Sequence, residues 1–176
     1  ITKDSATALY VGIYDDTLAF SLGRCDETTF EKINFLVECG ASPSEIANKL
    51  LRRDSLAKYR IIPKVLDSLE LYKEGEVASI IAKEEWFKQT GAHNRDCEDA
   101  LDMIMSIAVV RIAIFVRIVN GESRVSLRSK GKIDVSKIAA EFGGGGHFNA
   151  SGCTIETLDV EKAKEIVLKE IFEIYK

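Results

Sequence analysis

The segment Gly143-Gly144-Gly145-Gly146-His147-Phe148-Asn149-Ala150-Ser151-Gly152 holds the residues of this chain best suited to handling an anion. Each glycine costs the folded state on the order of 0.5–1 kcal/mol of backbone entropy relative to alanine. A fold that keeps four in a row therefore needs unusual dihedrals or a close approach by a ligand. Consecutive exposed N–H groups form a nest for phosphate, and a histidine beside it donates to that phosphate or stacks on a base. Asn149, and more weakly Ser151, offer polar groups at the same loop. The competing reading is a flexible connector between a helix and a strand.

Arg128, in Val125-Ser126-Leu127-Arg128-Ser129-Lys130, leaves a strand end where a bidentate contact to phosphate is open to it. A solvated charge is the alternative there. Residues 117–149 carry six Lys/Arg against three acids, a local net of +3 inside a chain of net −4. An acidic chain with a pI near 5.4 is a poor non-specific duplex binder, yet it can hold a short anionic ligand in a basic site. Asp15 and Asp16 fall at the C-terminal end of a predicted helix, where carboxylates oppose the helix dipole. A nearby cation would ease that conflict. One aspartate does not make a divalent-metal site, and on this feature alone solvated turn residues are the better account of the pair.

The positioning elements are legible from periodicity. Ala6, Leu9, Tyr10 and Ile13 recur at helical spacing behind the capping candidates Asp4 and Ser5. Asp26 caps a second helix carrying Phe30, Ile33, Leu36 and Val37, and Gly40 stands where a C-terminal glycine belongs. Ser42-Pro43-Ser44-Glu45 starts a third. A fourth, around Leu56–Leu69, is kinked or begun by Pro63. Glu76–Lys83 then reads as a strand, Lys83–Gln89 as a short helical turn and Asp96–Met105 as a helix. Val110, Ile112, Ile114, Val116 and Ile118 alternate up to Asn120-Gly121, a strong hairpin signal, and Glu122–Ser129 returns. A two-residue turn opposes Val116 to Val125, Ile114 to Leu127 and Ala113 to Arg128, so Arg128 points away from the most apolar face. Asp134 caps a helix over roughly Val135–Phe142, the glycine run follows, then a strand over Ala150–Thr154. Asp159 caps a last helix whose stripe is Ala163, Ile166, Val167, Glu170 and Ile174.

The 176 residues suit one domain or two small ones. No run reaches membrane-span length; the longest apolar stretch is broken by Arg111 and Arg117. A chain opening on Ile1 reads as numbered from inside a larger gene product. Cys25, Cys39, Cys97 and Cys153 are isolated, which points to reduced thiols in the cytoplasm rather than to a zinc site or disulfide framework.

Together these segments resemble a known family. Gly12-Ile13-x-x-Asp16-Thr17-x-x-Phe20 resembles the last metal-binding motif of DHH-superfamily phosphoesterases. Arg124-Val125-Ser126-Leu127-Arg128-Ser129-Lys130-Gly131, with Asp134-Val135, Ile138-Ala139 and Gly143–Gly152, resembles the DHH-associated substrate-binding domain, in the flavour of the nano-RNase/pAp-phosphatase branch. The resemblance implies an α/β fold: residues 1–71 as the incomplete helical tail of a catalytic domain, and residues 75–176 as a mixed-sheet substrate-binding domain with flanking helices. It implies a two-metal, Mn²⁺-dependent hydrolase acting on short single-stranded RNA or DNA or on 3′-phosphoadenosine 5′-phosphate, away from membranes, with a homodimer as one compatible form. Asp16 would be a metal ligand; Arg128, Gly143, Gly144, Gly145, Gly146, His147 and Asn149 would hold substrate. The Asp-His-His motif and the earlier ligand motifs are absent, so this chain alone is expected to be inactive. Leu18 and Ala19 also depart from the family's pattern, and His93 reads as an exposed loop residue. A non-catalytic nucleotide- or RNA-binding module and an exopolyphosphatase or pyrophosphatase are the alternatives.

Overall fold

A computed structural model describes residues 1–17, 19–20, 25–51 and 54–175. Leu18, one of the departures noted above, lies outside them. The chain divides into two compact units, Ile1–Asp54 and Ser55–Lys176. That division falls ahead of the boundary expected at residues 70–75, because the fourth helix packs with the sheet that follows it. Among the described residues no helix is long and apolar enough to cross a membrane.

The first unit contains α1 (Lys3–Asp16), α2 (Glu27–Glu38) and α3 (Pro43–Leu51) around a small core of Ala6, Tyr10, Leu36, Ala41 and Ile46. Thr2, not Asp4 or Ser5, is the N-cap of α1; its hydroxyl accepts from Ser5 N–H while Ser5 reaches back to Thr2. Asp26 caps α2 as expected, accepting from Thr29 N–H at 2.9 Å. Gly40 closes α2 with a positive φ of 98°, and the amides of Gly40 and Ala41 return to Val37 and Leu36. Leu9 and Phe30, placed on apolar stripes by periodicity, are about half exposed.

The second unit is built on a six-stranded mixed sheet. Its strands are β1 (Glu70–Tyr72), β2 (Val77–Ala82), β3 (Ile112–Val119), β4 (Glu122–Ser129), β5 (Gly145–His147) and β6 (Ala150–Ile155), in the order β1-β2-β3-β4-β6-β5. Only β2 and β3 run parallel; the other pairs are antiparallel. The β3–β4 hairpin has the register expected from its turn, with Val116 opposite Val125, Ile114 opposite Leu127 and Ala113 opposite Arg128. Asn120 and Gly121 both adopt positive φ (53° and 85°), as a turn matched to strand twist requires.

One face of the sheet is covered by α7 (Val135–Glu141) and α8 (Val160–Ile174), burying Ile112, Ile114, Val116, Val125, Leu127 and Cys153 beneath Val135, Ile138, Val167 and Ile171. Of the stripe expected on α8, Ala163 and Val167 are buried, whereas Ile174 and Ile166 reach solvent and Leu168 and Ile171 take their place. The other face packs against α4 (Leu56–Asp67), α5 (Glu84–Thr90) and α6 (Asp99–Met105), which bury Ala78, Ile80, Ala113 and Phe115. Each fully buried Ile, Val or Phe of these two faces contributes roughly 1.5–3 kcal/mol. Pro63 neither starts nor ends α4. It lies on the exposed side of the helix, where water can satisfy the carbonyl that its missing N–H leaves behind.

The sheet's β1 edge is tied to α8 by charge. Glu70 accepts from the Tyr72 hydroxyl and from Lys164 Nζ at 2.9 Å, and these bonds hold its carboxyl below the usual range. Burial alone would depress the Lys164 ammonium, yet Glu161 at 2.7 Å and Glu70 hold it above its ordinary value. A carboxyl with a lowered folded pKa contributes stability above its unfolded value and loses it as pH falls through the folded one. Glu70→Gln therefore lowers the urea midpoint more at about pH 7 than at about pH 3. An equal loss at both pH values would show that the residue acts through packing instead.

Candidate functional site

Strand register gathers the site. Residues opposed across neighbouring strands share a face of the sheet. On the face away from α7 and α8, Arg128 lies between Ala113 and Ala150, and Ala150 is followed by His147. The next row runs Phe115, Ser126, Gly152, Gly145; the one after it runs Arg117, Arg124, Thr154. Helices α4, α5 and α6 pack over the β2–β3 half of this face, and over β4, β6 and β5 it opens as a cavity of about 520 Å³. Its floor is made of small residues, Ser126, Ala150, Gly152 and Gly145, and its rim of arginines.

Arg128 is the partly exposed cation of the first row. Its Nη1 donates to its neighbour Leu127 O at 3.2 Å, and its Nε lies 3.8 Å from Asp102 on α6. His147 is exposed and its imidazole makes no hydrogen bond to any described residue. Arg117 is 7% exposed; its guanidinium stacks over the Phe115 ring at 4.9 Å and donates to Glu98 at 3.0 Å. Beneath it, burial pushes the Cys97 thiol up to about 12 although Arg117 pulls the other way, and burial pushes Cys153 up to about 11. Neither thiol is a nucleophile in this state.

The glycine run differs from the expected nest of free amides. Gly143 takes a positive φ of 69° directly after α7, and its N–H returns to Ala140 O at 2.9 Å while that of Gly144 returns to Ala139 O at 2.9 Å. The first half of the run is thus a helix C-cap that satisfies orphan carbonyls. The second half is the edge strand β5, whose alternate amides face away from β6. A Cβ on Gly144 would meet Gly152 O at 2.3 Å, and one on Gly146 would meet Ala150 O at 2.6 Å. The close approach that the glycines permit is that of β6 itself. Gly145 alone of the four combines a negative φ with open space above its Cα, on the cavity floor.

Asn149 was expected at the ligand and is engaged by the scaffold. Its Nδ2 donates to Ser129 Oγ at 2.9 Å and Gly131 O at 3.3 Å, while its backbone carbonyl accepts from Ser129 N–H. It pins the β5–β6 turn to the end of β4. Ser151 is likewise turned to the covered face, donating to Val135 O at 2.7 Å. Sequence reasoning passed over Arg117, Arg124, Glu98 and Asp102 as members of the site. The hairpin register that opposes Val116 to Val125 also opposes Arg117 to Arg124, so the signal for two of them was present.

Asp16 is the last residue of α1 and is exposed. The motif around it serves packing: Thr17 Oγ1 donates to Ile13 O at 2.6 Å and accepts from Phe20 N–H, and Phe20 stacks edge-on against Tyr14 at 5.5 Å. Among the described residues no three His, Cys, Asp or Glu side chains come together to hold a metal ion. Of the Mn²⁺ site that the resemblance implies, these residues offer Asp16 as one carboxylate, and no chemical step is derived through it.

A model of the DHHA1 domain matches residues 73–175. The bifunctional oligoribonuclease and PAP phosphatase of Thermus thermophilus is 27% identical over 172 residues, covering 98% of this chain and 51% of that protein. Its counterpart in Mycoplasma genitalium is 32% identical over 152 residues, covering 86% and 46%. The crystal structure of an exopolyphosphatase-related protein from Bacteroides fragilis superposes with a TM-score of 0.88 at 29% identity, covering 99% of this chain and 52% of that one. The chain thus spans about half the length of the curated relatives it matches.

The glycines separate by stability. Gly144→Ala and Gly146→Ala each cost roughly 2–4 kcal/mol through backbone collision, whereas Gly145→Ala costs about 1 kcal/mol or less. Chemical denaturation of the three variants checks this; equal losses would mean that the run is a uniformly soft loop.

Proposed function

Because this chain belongs to the DHHA1 domain family, we propose that its uncovered sheet face grips the phosphorylated end of a short oligonucleotide, or 3′-phosphoadenosine 5′-phosphate, for a phosphoesterase. The observation that carries the reading is the row that sets Arg128 beside Ala150 and the unbonded imidazole of His147, next to a floor with almost no side-chain bulk. Arg128 supplies a fork of donors that matches phosphate geometry. His147 supplies a donor when protonated, or a ring for a base to stack on. The outward amides of β5 and the bare Cα of Gly145 let a phosphate or a flat base come down to the backbone. Gly143 and Gly144 hold β5 in place from the helix side, Gly146 lets it approach β6, and Asn149 fixes the turn behind it. The buried thiols Cys97 and Cys153 suit a reducing cytoplasm.

Hydrolysis belongs to this proposal only for a protein that assembles a complete metal site, to which Asp16 would bring one carboxylate. A second reading is a nucleotide-binding module without chemistry, in which the same face holds its ligand and nothing is cleaved. A polyphosphate ligand, suggested by the name of the Bacteroides fragilis protein, would leave the flat floor without a purpose.

Binding of the 5′-phosphorylated dinucleotide pApA to the purified chain tests the grip. Arg128→Ala weakens it by about tenfold or more, and His147→Ala by about threefold to tenfold, each being the loss of one charge-assisted contact. Both side chains meet solvent, so both variants keep the wild-type melting temperature. Unchanged affinity, or a large fall in melting temperature, would overturn the assignment.

A further inference from the structure

We propose that the β1 edge of the second unit is a two-fold interface, at which two copies of this chain pair β1 with β1 and α8 with α8. The two sheets join into one, and the face on β4, β6 and β5 lies at the edge farthest from the join. The proposal concerns association alone and stands whether or not that face holds phosphate.

The backbone shows which groups of the edge are open. Ser68 Oγ accepts from Ile81 N–H at 3.0 Å and donates to Ile81 O at 3.2 Å, so both backbone groups of Ile81 face the β1 side. The Glu76 carbonyl turns the other way, accepting from the amides of Arg111 and Ile112 at the head of β3. Backbone groups alternate along a strand, so Val77 and Ser79 face β1 as Ile81 does, and their partners are Tyr72 and Glu70. Leu71, between those two, therefore turns its N–H and C=O away from β2. An open edge is a template for another strand, and proteins blunt it with charge, proline or a bulge. The register of β1 on β2 is unbroken and its residues, Glu70-Leu71-Tyr72, include no proline. Its one charge, Glu70, is neutralised by Lys164 at 2.9 Å and bonded by the Tyr72 hydroxyl. The Leu71 side chain is about half exposed.

Charge and level identify the occupant as a second copy. Beside β1, α8 borders a cavity of about 450 Å³ lined by Tyr72, Leu168 and Phe172, with Glu165 and Lys169 exposed at its rim. A glutamate four residues ahead of a lysine is the favoured helical pair, and Glu84 and Lys88 form one at 2.7 Å. Glu165 and Lys169 have the same spacing, yet neither makes an ion pair with any described residue. The Glu70–Lys164 bond and the Tyr72–Phe172 ring contact at 5.8 Å fix how strand and helix lie side by side. They set Leu71 level with Leu168, midway between Lys164 and Phe172. Glu165 and Lys169 are centred on Val167, one residue or about 1.5 Å away. One two-fold axis through Leu71 therefore serves both layers. Across it Leu71 exchanges two backbone bonds with the second copy's Leu71, as a directly opposed antiparallel pair does. Each Glu165 meets a Lys169, and the two apolar cavities face each other. Such a self-complementary patch is what an isologous dimer requires.

Sedimentation equilibrium of the purified chain tests this. The wild type shows a reversible equilibrium between the 19.5 kDa chain and a species of twice that mass. Leu71→Pro deletes the outward N–H, leaves the bonds to β2 in place and is tolerated on an edge strand. Leu71→Pro and Glu165→Lys each weaken the dimer by about tenfold or more. Glu165→Lys combined with Lys169→Glu exchanges the two charges and restores association to near the wild-type level, which a variant that had merely unfolded would not do. A chain that stays monomeric up to about 0.5 mM overturns the proposal and leaves the edge to a partner of other sequence. A dimer that none of these variants weakens overturns it as well, since the contact then lies on another face. Failure of the exchanged pair to recover what Glu165→Lys removes overturns the α8 pairing.

Discussion

Asn120 and Gly121 hold the β3–β4 hairpin in one register through their positive φ angles, and that register decides which residues of the second unit meet water. Because side chains alternate along a strand, a slip by one residue would exchange the two faces. It would put Arg124 and Arg128 under α8, and Val125 and Leu127 into solvent. With the observed register, Ile114, Val116, Val125 and Leu127 are buried beneath α7 and α8. The arginines are left on the face that α4, α5 and α6 cover only in part. Hydrophobic burial and the placement of the cations are therefore one constraint.

The uncovered half of that face keeps its floor because bulk is absent from it. Gly144 and Gly146 allow the edge strand β5 to lie against β6 at distances that no side chain would permit. Ser126, Gly152 and Gly145 leave little above the sheet. The scaffold behind the floor is heavily bonded: Ser151 reaches α7, Asn149 reaches the end of β4, and the amides after α7 close its C-terminus. Such a surface is stiff, apolar underneath and cationic at its rim, which suits recognition of a small anion whose shape is fixed.

Much of this was legible from residue types and spacing. The hairpin, its register, the caps at Asp26, Asp134 and Asp159 and the C-terminal glycine at Gly40 follow from local chemistry that tertiary packing did not override. The glycine run was harder. Sequence says that a Cβ is not tolerated there, but not whether the close neighbour is a ligand or, as at Gly144 and Gly146, the next strand. β1 and β5 are three residues each, too short for alternation to show. The packing of α4 with the sheet depends on Ile61, Ile62 and Val65 meeting residues far along the chain, which no local pattern reveals. Leu9, Phe30 and Ile166 show the reverse case, apolar residues at helical spacing that remain partly exposed. Arg117 and Arg124 were within reach of the register argument, but read singly they look like ordinary strand charges.

The central claim is that phosphate is held on the bare β4–β6–β5 face, and amide chemical-shift mapping of the chain against pApA tests it most directly. The account predicts shifts concentrated at Gly145, Gly146, His147, Gly152 and Arg128, with the amides of the covered strand β2 unmoved. Saturable shifts centred elsewhere, or none on this face while the spectrum stays that of the folded chain, would contradict it.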